Sequence, residues 1–569
     1  MSIHGAVQPL PLALLGSRQR SRRLASYGVT LLAVIGLLSA LSPPMRDRLQ
    51  DLLAVVPFVI PRTAAVTLVF VSLALLLTAR GLRRGQRLAW VSTMLLLGVS
   101  VVLHLIKGID VEEALLSAGG LWWLGRHRAA FPVRPSRTAV WRAAALAGGG
   151  AAVAMLFAAL VARQDRQDID GAMAAAAVRL VGGTWGPLGY GSALVTPMLV
   201  GFGAMIVVAA LWVLLSPRKC LLVTEDVHRA ERERARCVVE RSGAGTLDWF
   251  TLRDDKQWFF AGDSVVAYAV RAGVCLVSPD PVGPVAERAE VWSDFRSFVD
   301  AHGWSLSVLG AAAEWLPTYQ ASGMRAVYLG DEGVVDCASF SLEGRSMRGL
   351  RQAHNRVIRA GYTVSFEDPA LLAPDLREQL LALAAQSRRG EVERGFSMTL
   401  SRLFDPADTG FLMSIARDGD GVPQAFVQWV PAPGIDGWSL DVMRRNTDPG
   451  LPNGVIDYLI VETIGYLARR GQAGLGLNFS VLRSLVAGEQ QGWLGSTCRA
   501  VLRRAGAKSQ LESLWRFNAK FAPRWVPRYV LTAGMDGIAA QSLVIADVEG
   551  ISEVPLLGRF MNGIRVSSR

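Results

Sequence analysis

The sequence predicts a multi-domain chain: an α-helical transmembrane N-terminal half followed by a cytoplasmic α/β half. Three observations predict it. Long apolar runs crowd before residue 217, arginines gather in alternate loops between them, and from about Leu221 short β-rich runs alternate with helical patterns. Hydrophobic residues make up 51% of the 569-residue chain, and its mean hydropathy of +0.30 exceeds what a soluble protein needs.

Taken in order, Leu24–Leu41, Leu53–Ala79, Ala89–Ile106, Val111–Leu124, Val140–Ala162 and Val195–Leu215 read as six spans. The fourth is short, with Glu112 and Glu113 at its start and Gly119 and Gly120 near its middle, which also suits a re-entrant segment. Arg18, Arg20, Arg22 and Arg23 precede the first span, Arg80, Arg83, Arg84 and Arg87 follow the second, and Arg126, Arg128, Arg134 and Arg137 follow the fourth. The intervening loops carry acids among their bases, so the positive-inside rule puts the N-terminus and everything after Lys219 in the cytoplasm. Residues 1–23 are then a basic cytoplasmic N-terminus and 24–217 a transmembrane domain. The first apolar run is not a secretory signal, because Pro43-Pro44 follows it where a small-residue cleavage site belongs.

Beyond Leu221, Trp258–Ser278 reads as strands joined by glycine turns and Val285–His302 as an amphipathic helix. Strands are expected at Ala326–Tyr328, Val334–Ser341, Tyr362–Phe366, Phe411–Ala416, Ala425–Pro431 and Gly437–Val442. Helices are expected at Ser346–Ala360, Ala373–Ser387 and Gly454–Arg470. Two cycles of similar content fit two related α/β lobes.

The formal charge of +12 calls for an anionic partner, nucleic acid or acidic lipid. Two segments concentrate it. The helix RSMRGLRQAHNRVIR (345–359) sets Arg345, Arg348, Arg356 and Arg359 on one face and Met347, Leu350, Val357 and Ile358 toward the other, with no acid between Gly344 and Ser365. Without acids the arginines repel one another unless an anion binds. WRFNAKFAPRWVPRY (515–529) holds four cations and five aromatics, flat faces suited to bases or lipid headgroups. Membrane-facing charge alone would account for its composition equally well.

Asp441 lies among Leu440, Val442 and Met443 at the end of a strand, either salt-bridged to Arg444 or Arg445 or facing a pocket. Asn478 and Ser480 sit in the apolar run LGLNFSV, as oxyanion donors or as partners for strand-end backbone. His354, inside the arginine helix, reads as a structural or phosphate-contacting residue. The five cysteines show no CxxC spacing, the six histidines do not cluster, and phosphate-loop, zinc-protease and serine-elbow motifs are lacking. No metal and no cofactor are expected, and the chemistry should act on an already activated substrate.

The segments RGLRQAHNRVIRAGYTV, ERGFSM, SLDVMRR, NGVIDYLIVE, LNFSVLRS and RFNAKFAPRWVPRY, in that order, resemble the aminoacyl-phosphatidylglycerol synthases, and especially their actinobacterial branch. The resemblance implies two acetyltransferase-like (GNAT-type) lobes, 221–335 and 336–550, the second catalytic, with a C-terminal tail at 551–569. It implies transfer of an amino acid, lysine favoured and alanine second, from aminoacyl-tRNA to the glycerol hydroxyl of phosphatidylglycerol at the bacterial plasma membrane. Glu393, Asp441, Asp457, Asn478 and Ser480 become the catalytic candidates. Arg348, Arg351, Asn355, Arg356, Arg444, Arg445, Arg516, Lys520, Arg524 and Arg528 become candidates for substrate contact. Aminoacyl-tRNA, phosphatidylglycerol and the bilayer are the implied partners, and self-association as a homo-oligomer is compatible with them. SRRGEVERGF departs from relatives that carry a tryptophan before the ERGF-like motif, which bears on the amino-acid or acceptor pocket. The competing expectations are a membrane-anchored nucleic-acid-binding or lipid-flipping protein with a noncatalytic α/β domain, or the same transferase acting on diacylglycerol.

Overall fold

A computed structural model describes residues 11–41, 59–108, 110–164, 168–180, 192–216, 224–388, 397, 399–400, 402–481, 515–533 and 544–545. It divides into two compact units, one of Leu10–Cys220 with Arg296–Ser305, the other built on Leu221–Phe295 and Leu306–Arg569.

The first unit is helical: α1 (Leu12–Leu41), α2 (Val59–Arg83), α3 (Arg87–Gly108), α4 (Val111–Arg126), α5 (Arg137–Gln164), α6 (Ile169–Leu180) and α7 (Ser192–Leu214). Polar side chains face inward beside an apolar core that includes Leu75, Leu82, Leu97 and Leu124, as where Thr93 Oγ1 donates to Thr78 Oγ1 at 2.8 Å between α3 and α2. Large apolar side chains also face out, among them Leu31, Leu38, Leu95, Trp141 and Leu156. Apolar side chains on both the inside and the outside suit a hydrocarbon surround. Three described helices are long and apolar enough to cross a membrane: Leu12–Ala40, Arg87–Leu105 and Arg137–Arg163. The sequence reading of six spans did not anticipate α6, which at 12 residues is too short to cross.

The second unit is the expected α/β half. Helix α8 (Glu225–Ser242) precedes strands β1 (Gln257–Ala261), β2 (Ser264–Arg271) and β3 (Val274–Val277), which are followed in the chain by α9 (Arg288–His302) and β4 (Ser305–Ala311). After α10 (Leu316–Ala321) come β5 (Arg325–Asp336), α11 (Arg348–Arg359), β6 (Thr363–Glu367), α12 (Pro374–Arg388), β7 (Leu412–Arg417), β8 (Pro423–Ala432) and β9 (Gly437–Arg445). Helix α13 (Val455–Arg469), β10 (Gly474–Val481) and β11 (Arg524–Thr532) complete the set. All strands join one sheet in the order β1-β2-β3-β4-β11-β5-β10-β9-β8-β7-β6.

Two expected strands, Ala326–Tyr328 and Val334–Ser341, are one 12-residue strand, β5. It runs through Gly330 and Gly333 because both its edges are paired, to β10 and to β11. Strand β11 was read only as a charged segment. It lies centrally between β4 and β5, and its Pro527, which has no N–H to give, is tolerated beside the register shift at Arg528/Tyr529. Helix α11 buries Leu350 and Val357, but Ile358, expected on the apolar face, is 46% exposed. Cys275 and Cys337 are buried and in no disulfide among the described residues, and burial pushes the Cys337 thiol up to about 12, away from nucleophilic chemistry.

Candidate active site

The site forms where two parallel strands part. Strands β9 and β10 share only three rungs, Gly437↔Gly474, Trp438↔Leu475 and Ser439↔Gly476. A Cβ on Gly437 would lie 1.8 Å from the Gly474 carbonyl oxygen, so only glycine lets the strands start this close. Beyond Ser439 the β9 ladder slips: Trp429 opposes Leu440 while Gln428 opposes Val442, leaving Asp441 as the extra residue of a bulge. The bulge reverses the strand's facing. Leu440 packs into the core beneath α13, Val442 into the separate core beneath α12.

Asp441 is buried, with Oδ1 accepting from the Leu400 backbone N–H at 2.9 Å and Oδ2 from Gln428 Nε2 at 2.7 Å. Both of these donors are neutral groups. Arg444 Nη1 donates to the Met443 carbonyl at 2.9 Å, and Arg445 is exposed. Asn478 and Ser480 fall on β10 past its last rung with β9, their side chains outside the described residues. Glu393 also lies outside the described residues.

A second cluster surrounds the start of α13. Gly454 precedes the helix at φ +100°, and a Cβ there would sit 2.8 Å from that of Ala353, so glycine permits both the turn and the close approach of α11. Arg356 Nη1 donates to the Asn453 carbonyl at 3.1 Å, fixing this loop to α11. Asp457, in the first turn of α13 where a carboxylate is favoured by the helix dipole, accepts from Lys520 Nζ at 3.1 and 2.9 Å on its two oxygens. The structure thus joins two candidates that lie 63 residues apart. His354 Nε2 lies 2.8 Å from Glu462 Oε1, and its ring tilts against Tyr458. Arg351 donates to the Leu342 and Gly344 carbonyls, whereas Arg348, Asn355, Arg356 and Arg359 are exposed. Among the described residues Arg345, Arg348, Arg356 and Arg359 make no salt bridge, which leaves a cationic surface without internal neutralisation.

The four cations of the terminal motif separate in space. Arg516, in a short helix over 515–519, and Arg524, at the start of β11, are exposed. Lys520 is tied to Asp457. Arg528 is buried: its Nε and Nη2 donate to Glu332 Oε2 at 3.0 and 2.6 Å, and Nη2 to Thr246 Oγ1 at 2.6 Å. The expectation of a phosphate contact at Arg528 is therefore met instead by an internal carboxylate, because Glu332 in β5 needs a cation where water is excluded.

Sequence reasoning passed over Thr246, Glu332, Gln428 and Ser439, all buried on or beside this part of the sheet. The available signal was an acid inside an apolar strand, as in LGDEGVV (329–335). It also passed over Asp280, whose oxygens accept from Tyr319 Oη at 2.5 Å and the Ala312 N–H at 2.8 Å. Burial pushes the Asp280 carboxyl up to about 7 despite those bonds. Asp248, bonded to the Ala244 and Gly245 N–H groups at 2.8 and 2.7 Å, is also shifted upward by burial.

A family model described as phosphatidylglycerol lysyltransferase, C-terminal, matches residues 236–532, which includes every site element above. The lysylphosphatidylglycerol biosynthesis bifunctional protein LysX of Mycobacterium marinum is 31% identical over 573 residues, covering 94% of this chain and 50% of that protein. Its Mycobacterium avium counterpart is 37% identical over 337 residues, covering 58% of this chain and 28% of that protein. The chain thus spans half or less of the length of these relatives. The solved structure of L-PGS from Bacillus licheniformis aligns with a TM-score of 0.50 at 21% identity, covering 56% of this chain and 96% of that one, and shares the fold. On the match across 236–532, the chain belongs to the phosphatidylglycerol lysyltransferase C-terminal family.

Proposed function

We propose that the protein transfers an amino acid, lysine first among candidates, from aminoacyl-tRNA to the glycerol hydroxyl of phosphatidylglycerol. One observation carries the reading: within the family-matched region, the buried Asp441 sits on a bulge where β9 and β10 diverge. The exposed arginines of α11, Arg348, Arg356 and Arg359, belong to the same unit. The names of the relatives favour lysine. Alanine is the second candidate.

In this reaction the glycerol hydroxyl oxygen attacks the ester carbonyl carbon, and the tetrahedral intermediate expels the 3′-oxygen of the terminal ribose. The attacking hydroxyl loses its proton and the ribose oxygen gains one, so no external oxidant or energy source is needed. The ester is activated already, and the protein's tasks are orientation and charge stabilisation. Asp441 is the candidate to hold or relay the proton. Lys520, held by Asp457, is a cation that can face an oxyanion or phosphate. Exposed Arg348, Arg356, Arg516 and Arg524 suit the tRNA backbone.

Three described helices that can cross a membrane support a membrane-embedded first unit, and the basic loops favour the N-terminus and catalytic half in the cytoplasm, where aminoacyl-tRNA resides. A product with an added ammonium lowers the negative charge of the membrane and its attraction for cationic peptides.

The test is expression of the full chain in a bacterium lacking aminoacylated lipids, followed by mass spectrometry of the lipid extract. A new species whose mass equals phosphatidylglycerol plus one aminoacyl group is expected, and that mass names the amino acid. An aminoacylated diacylglycerol would move the acceptor. No new lipid from folded, membrane-inserted protein that still binds RNA would favour the binding-only alternative.

A further inference from the structure

Among the described residues, the buried side-chain oxygens Ser439 Oγ, Gln428 Oε1 and Glu332 Oε1, on β9, β8 and β5, have no hydrogen-bond partner. Each belongs to a residue at most 2% exposed. Orphaned buried acceptors are costly, and native proteins keep few of them without a ligand or water to satisfy them.

Their arrangement is specific. Ser439 pairs with Gly476 on one side and Val430 on the other, so Ser439, Val430 and, two residues before it, Gln428 share a face of the sheet. A Cβ on Gly476 would lie 3.1 Å from Ser439 Oγ and 3.3 Å from Glu332 Oε1, so both oxygens point at the space this glycine leaves. Each group is held from behind. Glu332 Oε2 takes bonds from Thr246 at 2.9 Å and from Arg528 at 3.0 and 2.6 Å. Gln428 gives its amide N–H to Asp441, which as a carboxylate can only accept, and this turns Oε1 outward as an acceptor.

The recess therefore presents a carboxylate oxygen, an amide oxygen and a hydroxyl, which suits a group with several N–H donors and a positive charge. Resting on the transferase reading above, we propose that Glu332, Ser439 and Gln428, gathered over Gly476, receive a primary ammonium of the aminoacyl group and so select the donor. Asp441, adjacent through Gln428, then meets the reacting end of the same group.

The experiment uses the full-length chain in membranes, with tRNA charged with lysine, with alanine, or with norleucine, which lacks the side-chain amine. Ser439→Ala and Gly476→Ala are compared with wild type. Each should lower kcat/KM for lysyl-tRNA about tenfold, the effect of one charge-assisted hydrogen bond. Ser439→Ala should melt no lower than wild type, since it removes an unsatisfied hydroxyl. Loss confined to lysyl-tRNA assigns the recess to the side-chain ammonium, and equal loss with all three donors assigns it to the α-ammonium. Unchanged kcat/KM for every donor in both folded variants means a buried water only and overturns the proposal. A wild-type chain that makes no aminoacyl lipid overturns the transferase reading and the recess with it, whereas an active wild type with unmoved variants overturns the recess alone.

Discussion

Asp280 and Asp441 are both buried carboxylates of the α/β unit, one just past β3 and the other within β9, yet their surroundings are finished differently. Around Asp280 the lobe closes: Tyr319 Oη and the Ala312 N–H occupy the two oxygens. Around Asp441 it stays open, because the strands part after three rungs and the neighbouring Ser439 and Gln428 keep oxygens unsatisfied among the described residues. A buried acid is therefore not in itself a sign of chemistry. What distinguishes the surroundings of Asp441 is that leftover hydrogen-bonding capacity lies beside the parting of β9 and β10, where Ser439 Oγ and Glu332 Oε1 converge on Gly476.

The sharpest test of that contrast is a matched pair of isosteric changes. Asp441→Asn keeps an acceptor for Leu400 N–H and should fold, but should lower lipid aminoacylation about a thousandfold if the carboxylate relays a proton. Asp280→Asn should stay within about threefold of wild type at neutral pH, as expected of a group whose two oxygens are taken up by the fold. Incorporation of labelled amino acid into extracted lipid measures both. Equal losses would dissolve the distinction between a closed and an open site.

Asp280 should instead report through stability. Its folded carboxyl keeps a proton up to about 7, while an unfolded chain releases one near pH ~3.9. Between those values the folded state binds more protons, so the stability Asp280 contributes is complete at low pH and is lost as pH rises toward 7. The change is on the order of 2 to 4 kcal/mol. Asp280→Asn should flatten the melting temperature between pH 5 and 8 and raise it at the alkaline end. A slope as steep as wild type would mean that other groups carry the titration.

Much of the fold was legible because local pattern and tertiary role agree. Glycine turns marked β1 to β3, and the apolar periodicity of residues 454–470 marked α13. Less of the site was legible. The bulge at Asp441 follows from a ladder slip against β8, which no short pattern encodes. Arg528 and Arg524 look alike in the sequence, yet Arg528 is buried against Glu332 whereas Arg524, at the first position of β11, is exposed. Lys520 and Asp457 were each recognisable as candidates, but their pairing depends on packing between segments far apart in the chain. The orphaned oxygens of Ser439 and Glu332 exist only as a difference between demand and supply in the folded state.

The smallest expected effect separates cations used by the fold from those left for a partner. Arg348 and Arg359 are exposed and without a salt bridge among the described residues, unlike Arg528 and Lys520. Arg348→Ala and Arg359→Ala should leave the melting temperature within about a degree, since exposed positions without partners change stability little. Each should weaken RNA binding by about threefold at moderate ionic strength and reduce the slope of log affinity against log salt by about one. Because a phosphate contact contributes through counterion release, the deficit should shrink as salt rises and vanish when wild-type binding itself becomes weak. Filter binding across a salt series tests this. A salt slope identical to wild type in both variants would mean that the arginine face of α11 serves the lipid surface or solvent instead of the tRNA.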